Sequence, residues 1–331
     1  MTVSTRPHPI NRRRAGALFA ACAASLMLAG PASAQKWPER PVTVVVPYAP
    51  GGFTDTLARI ASQYLSQELG QSFVVDNRPG AGGGIGTTSF LRSTPDGYTL
   101  MFGSATQPSL APLTRKITYN ADDLQPVSIF GRIPFLLAVR ADFPANNVKE
   151  LIAHAKTVKQ GLNAAVTGSG TTSHLITTSF AHRAGINVVT VPYKGSAPAA
   201  AAVLQGDVDM AWAGVSEIMP LIESGKVKAL AISSPQRLST LKDIPTVGET
   251  LDGFYLQTWN GFFAVPNTPK DIIEKVSEVM RKAVADPKIE GQLRKLGFDP
   301  AAMTPEEMAK LMASDKAFYA KAVKEAGLTQ Q

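Results

Sequence analysis

Short runs of β-branched and apolar residues alternate with segments of helical periodicity along most of this chain. Val42–Val46 suits a strand that is buried on both faces. The apolar residues of 55–69 recur at helical spacing, and 73–75 and 98–102 suit two further strands with a short helix between them. This β-α-β-α-β order predicts a parallel sheet with helices on its faces.

A second block with the same alternation begins near residue 135. Strands are predicted at 162–166, 188–191, 210–212 and 229–232, with helices beginning near Thr172, Ser196 and Ser216. Farther along, 254–259 and 261–265 suit two strands, and 270–285 suits an amphipathic helix. Two α/β blocks joined by short connections predict two lobes that face one another.

The first 34 residues have the composition of a secretory signal peptide. Residues 1–14 carry four arginines and no acidic residue, and an apolar stretch follows at 15–28. Ala32-Ser33-Ala34 then matches the small-residue pattern that precedes a cleavage site. We expect cleavage after Ala34 and a periplasmic mature protein. The apolar stretch is shorter than the ~20 residues that a membrane anchor needs. The arginines at 12–13 leave Sec and twin-arginine export both open.

Composition excludes several classes of protein. Apolar residues make up 44% and charged residues 18%, as in ordinary globular domains. The whole chain has 33 basic and 26 acidic residues, and four of the basic residues are the arginines of residues 1–34. Without that segment the chain has 29 basic and 26 acidic residues. A net charge of +3 without a basic stripe predicts no nucleic acid partner. The one cysteine, Cys22, lies in the signal segment, so the mature chain suits an oxidising compartment.

Motifs for cofactors and metals are absent from the sequence. The glycine-rich segment 80–86 fails the dinucleotide-binding spacing, because the third glycine position falls on Ile85. No phosphate-binding P-loop and no H-E-x-x-H motif occurs, and the three histidines after residue 34 are not clustered. We therefore predict no cofactor and no metal. Asp55 and His174 are the candidates for catalysis, although a helix cap or a loop-organising role suits each better. A secreted enzyme remains an alternative.

Loops of small residues follow several predicted strands in both blocks. In parallel α/β sheets, ligands bind beyond the carboxyl ends of the strands, where helix N-termini present free N–H groups to anions. Each loop alone suits an ordinary turn, but their recurrence in both blocks predicts a shared ligand cleft. The loops are 47–55, 78–86, 103–107, 167–174, 193–196 and 213–216.

Six motifs together resemble one family of bacterial receptors. They are P-Y-A-P-G-G-F-T-D (47–55), V-D-N-R-P-G-A-G-G (75–83), P-D-G-Y-T-L (95–100), G-S-G-T-T-S-H-L (168–175), V-P-Y-K-G-S-A-P-A (191–199) and W-N-G-F-F-A-V-P (259–266). The chain resembles the extracytoplasmic solute receptors of the tripartite tricarboxylate transporter family, the Bug receptors. The similarity runs in order from about Trp37 to the C-terminus.

The resemblance implies an α/β, two-lobed periplasmic binding protein of type II (a Venus flytrap) with its ligand cleft between the lobes. It implies a first lobe of 36–135 plus 258–331 and a second lobe of 136–257. A monomer of this kind captures a small organic carboxylate and passes it to integral membrane transporter subunits without chemical change. Di- or tricarboxylates, amino acids and aromatic acids all remain possible ligands, and a neutral amide such as nicotinamide could satisfy similar backbone groups. A sensory receptor that feeds a signalling system is a further alternative.

The resemblance also implies which residues hold the ligand, through backbone groups and waters rather than salt bridges. This chain differs from many members of the family at Gly83-Gly84-Ile85-Gly86 and at Ala213-Gly214. The chemistry of the ligand's distal part is therefore left open. The implied first-lobe residues are Tyr48, Gly51, Phe53, Thr54, Asp55, Ser104 and Gln107. The implied second-lobe residues are Thr167, Ser169, Gly170, Thr171, His174, Tyr193 and Gly214.

Overall fold

The computed structural model describes Thr2 and residues 37–328 of the chain. Except for Thr2, the predicted signal peptide lies outside these residues. Among the described residues, no helix combines the length and the apolarity that a membrane crossing needs.

Strands and helices alternate as the sequence predicts. In chain order the strands are β1 (Val42–Val46), β2 (Phe73–Asn77), β3 (Thr99–Ser104), β4 (Gln125–Pro134), β5 (Leu136–Arg140), β6 (Leu162–Val166), β7 (Val188–Pro192), β8 (Met210–Ala213), β9 (Val227–Ile232), β10 (Gln257–Ala264) and β11 (Asp299–Pro300). The α-helices are α1 (Phe53–Leu69), α2 (Gly84–Leu91), α3 (Ala111–Thr114), α4 (Val148–Ala155), α5 (Thr172–Ala184), α6 (Ser196–Gln205), α7 (Val215–Glu223), α8 (Lys270–Ala285), α9 (Pro287–Lys295) and α10 (Pro305–Glu325).

The strands form two separate mixed sheets. The first has the order β11-β4-β10-β3-β1-β2, and the second has the order β7-β6-β8-β5-β9. Strands β1, β2 and β3 are parallel, as are β6, β7 and β8. Strand β10 runs antiparallel to β3 and β4, and β5 runs antiparallel to β8 and β9. We call the part built on the first sheet the first lobe and the part built on the second sheet the second lobe, and the prediction of two α/β lobes is confirmed.

Each lobe has its own apolar core. In the first, Phe102 and Phe262 pack edge to face across neighbouring strands, with ring centroids 4.9 Å apart. In the second, Phe180 of α5 packs on Trp212 of β8 with centroids 5.7 Å apart. All four side chains are fully buried. Aromatic pairs of this geometry add to the stabilisation from buried apolar area.

One prediction about the strands was wrong. Residues 254–259 and 261–265 do not form two strands, because β10 continues through Asn260 and Gly261. The ladder to β4 shifts register at this point, as in a β-bulge. The side-chain amide of Asn260 donates to Thr54 Oγ1 at 2.9 Å, which accommodates a polar residue inside the sheet. An Asn-Gly pair that reads as a turn is therefore held in a strand by tertiary contacts.

Candidate ligand-binding site

A small cavity lies between the two lobes. Its volume is about 20 Å³, which is enough for roughly one water molecule and too small for an organic acid. An organic acid therefore reaches these residues only when the lobes separate, and lobes that close on it must leave a wider cleft than this one. The lining residues are Tyr48, Gly52, Phe53, Thr54, Ser104, Thr106, Phe135, Thr167, Thr171, Thr172, Ser173, Ser196 and Thr258.

The first-lobe side of the cavity is the beginning of helix α1. Gly51 adopts a left-handed backbone with φ of +82°, which a residue with a side chain rarely adopts. Gly52 is the N-cap residue, so the N-cap position has no side chain that could accept a hydrogen bond from the helix. The first N–H groups of α1 are thus directed to partners outside the helix. This combination of glycines gives an anion close access to a helix N-terminus.

The second-lobe side is formed by the loop after β6 and the beginning of α5. Thr171 is the N-cap residue of α5, and its hydroxyl accepts a hydrogen bond from the backbone N–H of His174 at 3.4 Å. The N–H of Thr167 donates to Ser173 Oγ at 2.9 Å. These bonds fix a loop whose hydroxyls and backbone line the cavity. The residues of this loop that line the cavity are neutral, so hydrogen bonds rather than ion pairs would hold a carboxylate of the ligand here.

Helix α6 of the second lobe begins directly opposite α1. A Cβ placed on Gly52 would lie 3.6 Å from the backbone nitrogens of Ser196 and Ala197. No side chain within α6 caps its N-terminus. The loops that precede these helices also meet, because the N–H of Ala49 donates to the carbonyl of Lys194 at 3.0 Å. Two helix N-termini therefore face each other across the closed cleft.

A buried hydrogen-bond network supports the first-lobe side. Gln107 Nε2 donates to the Tyr48 hydroxyl at 2.9 Å, and Gln107 Oε1 accepts from the N–H of Ser104 at 2.8 Å. The hydroxyls of Tyr48 and Ser104 lie 3.3 Å apart. Gln107 is fully buried and orients the two lining residues instead of lining the cavity itself.

Asp55 holds the loop before α1. Its carboxylate accepts hydrogen bonds from Gly51 N–H at 2.9 Å, Arg59 Nε at 2.9 Å and Asn77 Nδ2 at 3.0 Å. Burial raises the pKa of Asp55, but these hydrogen bonds outweigh burial and the pKa falls below its ordinary value. Asp55 is therefore an ionised organiser of the loop, and it does not line the cavity.

His174 has the same role in the second lobe. Its Nδ1 accepts a hydrogen bond from the N–H of Gly170 at 3.0 Å, and its Nε2 lies 3.4 Å from Thr190 Oγ1. Burial lowers the pKa of His174, which favours the neutral ring. A ring that accepts through Nδ1 carries its proton on Nε2. Both nitrogens thus bond to the protein behind the cavity.

The structure brings together some of the residues that the resemblance implied. Tyr48, Phe53, Thr54, Ser104, Thr167 and Thr171 line the cavity. Gly51, Asp55, Gln107, Ser169, Gly170 and His174 lie behind it in the loops that carry the lining residues. Tyr193 packs against the apolar core of the second lobe, and Gly214 lies against Phe53 and Glu217.

Other lining residues were not among the predicted site residues. Ser196, Thr172 and Ser173 stand inside quoted motifs, so their signal was present in the sequence. Gly52 is also in a motif, beside the predicted Gly51. Thr106 lies in the predicted cleft loop 103–107, although it was not singled out. Nothing in the sequence pointed to Phe135 or Thr258, which reach the cavity from the end of β4 and from β10. Thr106 and Thr172 join the lobes through hydroxyls 3.3 Å apart.

The whole-chain comparisons identify the family. The family model described as tripartite tricarboxylate transporter family receptor matches residues 57–328. The chain belongs to this receptor family. No group of His, Cys, Asp and Glu side chains within residues 37–328 is arranged to hold a metal ion.

Solved structures of similar proteins carry the same fold. The chain is 35% identical to periplasmic binding protein BugD, with a TM-score of 0.84 over 89% of this chain and 100% of that one. It is 32% identical to Rpa4515 of R. palustris with adipate (TM-score 0.87, covering 89% and 100%). It is 31% identical to MatC of Rhodopseudomonas palustris with bound malate (TM-score 0.81, covering 87% and 100%). The two-lobed fold of type II periplasmic binding proteins is thereby confirmed.

Proposed function

We propose that this chain is a periplasmic solute-binding protein that captures a small organic carboxylate and delivers it to a tripartite tricarboxylate-type membrane transporter. One observation carries the proposal: uncapped or hydroxyl-capped helix N-termini from both lobes converge on one cavity. Similar receptors hold adipate and malate, which are carboxylates. Di- and tricarboxylates, amino acids and aromatic acids are the ligand classes under this proposal.

The binding mechanism follows from the lining groups. Backbone N–H groups and hydroxyls of the Thr171–Ser173 segment at the start of α5 hold the carboxylate, and the starts of α1 and α6 line the same cavity. A hydrogen bond to a charged group contributes about 1.5–3 kcal/mol, so a few of them suffice for tight binding. Closure of the lobes then removes the ligand from water and favours the closed conformation. Asp55 and His174 have their polar atoms bonded to the protein, which supports binding without reaction.

The lobe boundaries belong to the same proposal. We assign 36–135 plus 258–331 to the first lobe and 136–257 to the second. Sheet membership supports the assignment, since β4 and β10 belong to the first sheet and β5 and β9 to the second. The two crossings of the chain fall between β4 and β5 and between β9 and β10. Phe135 alone joins β4 to β5, whereas residues 233–256 join β9 to β10, and these two crossings contain the hinge of the proposed closure.

Location and partners complete the proposal. We infer that residues 1–34 direct export, that cleavage follows Ala34, and that the mature monomer works in the periplasm. Integral membrane subunits of the transporter would distinguish the closed, loaded receptor from the open one by shape. No nucleic acid partner is proposed, given the small net charge after removal of the signal segment.

Calorimetry of the mature protein with a panel of organic acids tests the function. We expect one acid class to bind with one-to-one stoichiometry and to be recovered unchanged. Thr171→Trp should abolish that binding, because the indole would occupy the space between the closing lobes that the ligand needs. Thr157→Trp, at an exposed position, is the matched control and should bind as the native chain does. The absence of binding across the panel, or conversion of the acid to a product, would contradict the proposal.

A further inference from the structure

Glu217 is a buried acid at the meeting point of the lobes. It stands in the first turn of α7, and its Oε1 accepts hydrogen bonds from the N–H of Phe53 and from Ser196 Oγ. Ser216 Oγ donates to Oε2 at 2.9 Å. Phe53 belongs to the first lobe and Ser196 to the second, and both line the cavity. One carboxyl group thus joins the two lobes beside the proposed ligand.

The surroundings of Glu217 are those of an anion site. The starts of α1 and α6 face each other here, and neither has a side-chain cap of its own. Each start carries a partial positive charge, so an anion between them is stabilised by both. Among the described residues, Glu217 takes part in none of the ion pairs. Helix ends and hydroxyls therefore compensate its charge.

Gly214 leaves room for this arrangement. A Cβ at Gly214 would collide with Oε2 of Glu217 and would lie 3.1 Å from Cδ1 of Phe53. Burial raises the pKa of Glu217 above its ordinary value, and the hydrogen bonds from Ser196, Ser216 and Phe53 offset that rise only in part. In either protonation state the carboxyl group occupies the N–H of Phe53, which a ligand carboxylate would otherwise use.

We propose that Glu217 is a specificity-determining residue that supplies one carboxylate of the site from the protein itself. The ligand then needs a single carboxylate, held at the start of α5 by the loop of Thr171 and Ser173. The end of the ligand nearest Glu217 is a hydrogen-bond donor, either an amide or an ammonium group. A second carboxylate there would find its donors occupied by Glu217, and it would also face a like charge wherever Glu217 is ionised. This inference rests on the proposed function and narrows its substrate class.

Matched ligands that differ at one end test the inference. The pairs are succinate with succinamate, glutarate with glutaramate and adipate with adipamate, together with the ω-amino acids of the same lengths. Calorimetry of the native chain should give tighter binding of the amide or ammonium member by about ten-fold or more, equivalent to about 1.4 kcal/mol. Preference for the diacid in the native chain would overturn the proposal.

Variants of Glu217 test the cause of that preference. Glu217→Ser vacates the donors of Phe53 and Ser196, so the ratio of affinities should reverse in favour of the diacid. Glu217→Gln keeps the size and removes the charge, so it should lose most of the discrimination while remaining folded. Glu223→Gln, an exposed acid of the same helix, is the control and should keep the native ratio. An unchanged ratio in both Glu217 variants would overturn the inference alone. Failure of every acid to bind any of the proteins would overturn the proposed function as well.

Discussion

Two ionisable side chains near the cavity hold loops instead of contacting its space. Asp55 bonds to Gly51, Arg59 and Asn77, and His174 bonds to Gly170 and lies near Thr190. The lining itself consists of hydroxyl, glycine and aromatic residues. At the residue scale, these two ionisable side chains fix the loops, and the lining groups that would hold the ligand carboxylate are neutral. This division of roles is consistent with binding of a common functional group without acid–base chemistry.

The role of Asp55 predicts a pH-dependent loss of stability in Asp55→Asn. Near pH 7 the variant should unfold with a free energy about 1–3 kcal/mol below the native value, because buried donors lose a charged acceptor. The folded pKa lies below the ordinary value of 3.8, so this stabilisation is present above that pH and is lost as the pH falls through the folded pKa. Urea unfolding should therefore show the difference shrinking under acid conditions.

The control for this prediction is Asp76→Asn. Asp76 pairs with Arg78, and its side chain is 41% exposed. An ion pair this exposed contributes about 0–1 kcal/mol, so the control should stay close to the native stability. An Asp55→Asn variant as stable as the native chain near pH 7 would contradict the role assigned to Asp55. So would a stability difference that is the same at every pH.

Elements that are regular and local were predictable, and elements fixed by distant contacts were not. The run Val42–Val46 and the periodicity of 55–69 correspond to β1 and to most of α1. The break predicted at Asn260 was wrong because Thr54, far away in the sequence, bonds to the amide of Asn260.

The cavity shows the same distinction between local and distant signals. Loop residues such as Thr171 could be named from motifs, while Thr258 of β10 lies one residue before the motif W-N-G-F-F-A-V-P and was not named. Glu217 was not predicted from the sequence. An acidic residue in a helical segment does not indicate that it will contact the starts of α1 and α6, which are distant in the sequence.

Gly261 offers a test at the scale of elements. A Cβ at this position would lie 2.7 Å from Cα of Ile129 and 3.0 Å from the carbonyl carbon of Ser128 in the neighbouring strand β4. Gly261→Ala should therefore separate β10 from β4 and reduce the free energy of unfolding by more than about 2 kcal/mol, the upper part of the range for overpacking. Urea unfolding measures the change.

Gly291→Ala is the matched control in helix α9. Nothing lies within 4 Å of a Cβ at Gly291, and the position is exposed. Alanine should stabilise the helix by about 0.5–1 kcal/mol relative to glycine. If Gly261→Ala were as well tolerated as Gly291→Ala, the close approach of β10 and β4 would be contradicted.

For the whole molecule, the contacts between lobes decide how the receptor responds to ligand. Arg115 of the first lobe donates to the carbonyls of Ala81 and Gly82, and it also reaches the carbonyl of Ser169 in the second lobe at 3.2 Å. Thr114 beside it donates to the carbonyl of Gly170 at 3.1 Å. The bonds to Ser169 and Gly170 cross between the lobes, so they exist only while the lobes are together. They therefore stabilise the closed form that holds the ligand.

Arg115→Ala should weaken binding through faster release. Loss of a charged hydrogen bond across the lobes predicts an increase of about ten-fold in the dissociation constant, mainly in the dissociation rate. Surface plasmon resonance with the acid found by calorimetry gives both rates. Arg92→Ala removes an exposed arginine elsewhere on the first lobe and should change neither rate. An Arg115→Ala variant with the native dissociation rate would show that this contact does not hold the lobes closed.

The most direct measurement is a crystal structure of the mature protein with the acid that binds in calorimetry. The account predicts closed lobes with a carboxylate oxygen roughly 2.7–2.9 Å from backbone N–H groups or hydroxyls of the Thr171–Ser173 loop. The donor end of the same molecule should lie against Glu217. An acid bound outside the cleft, for instance in the groove between His182 and Phe318, would contradict the account. So would lobes whose glycine-bearing loops close without touching the acid.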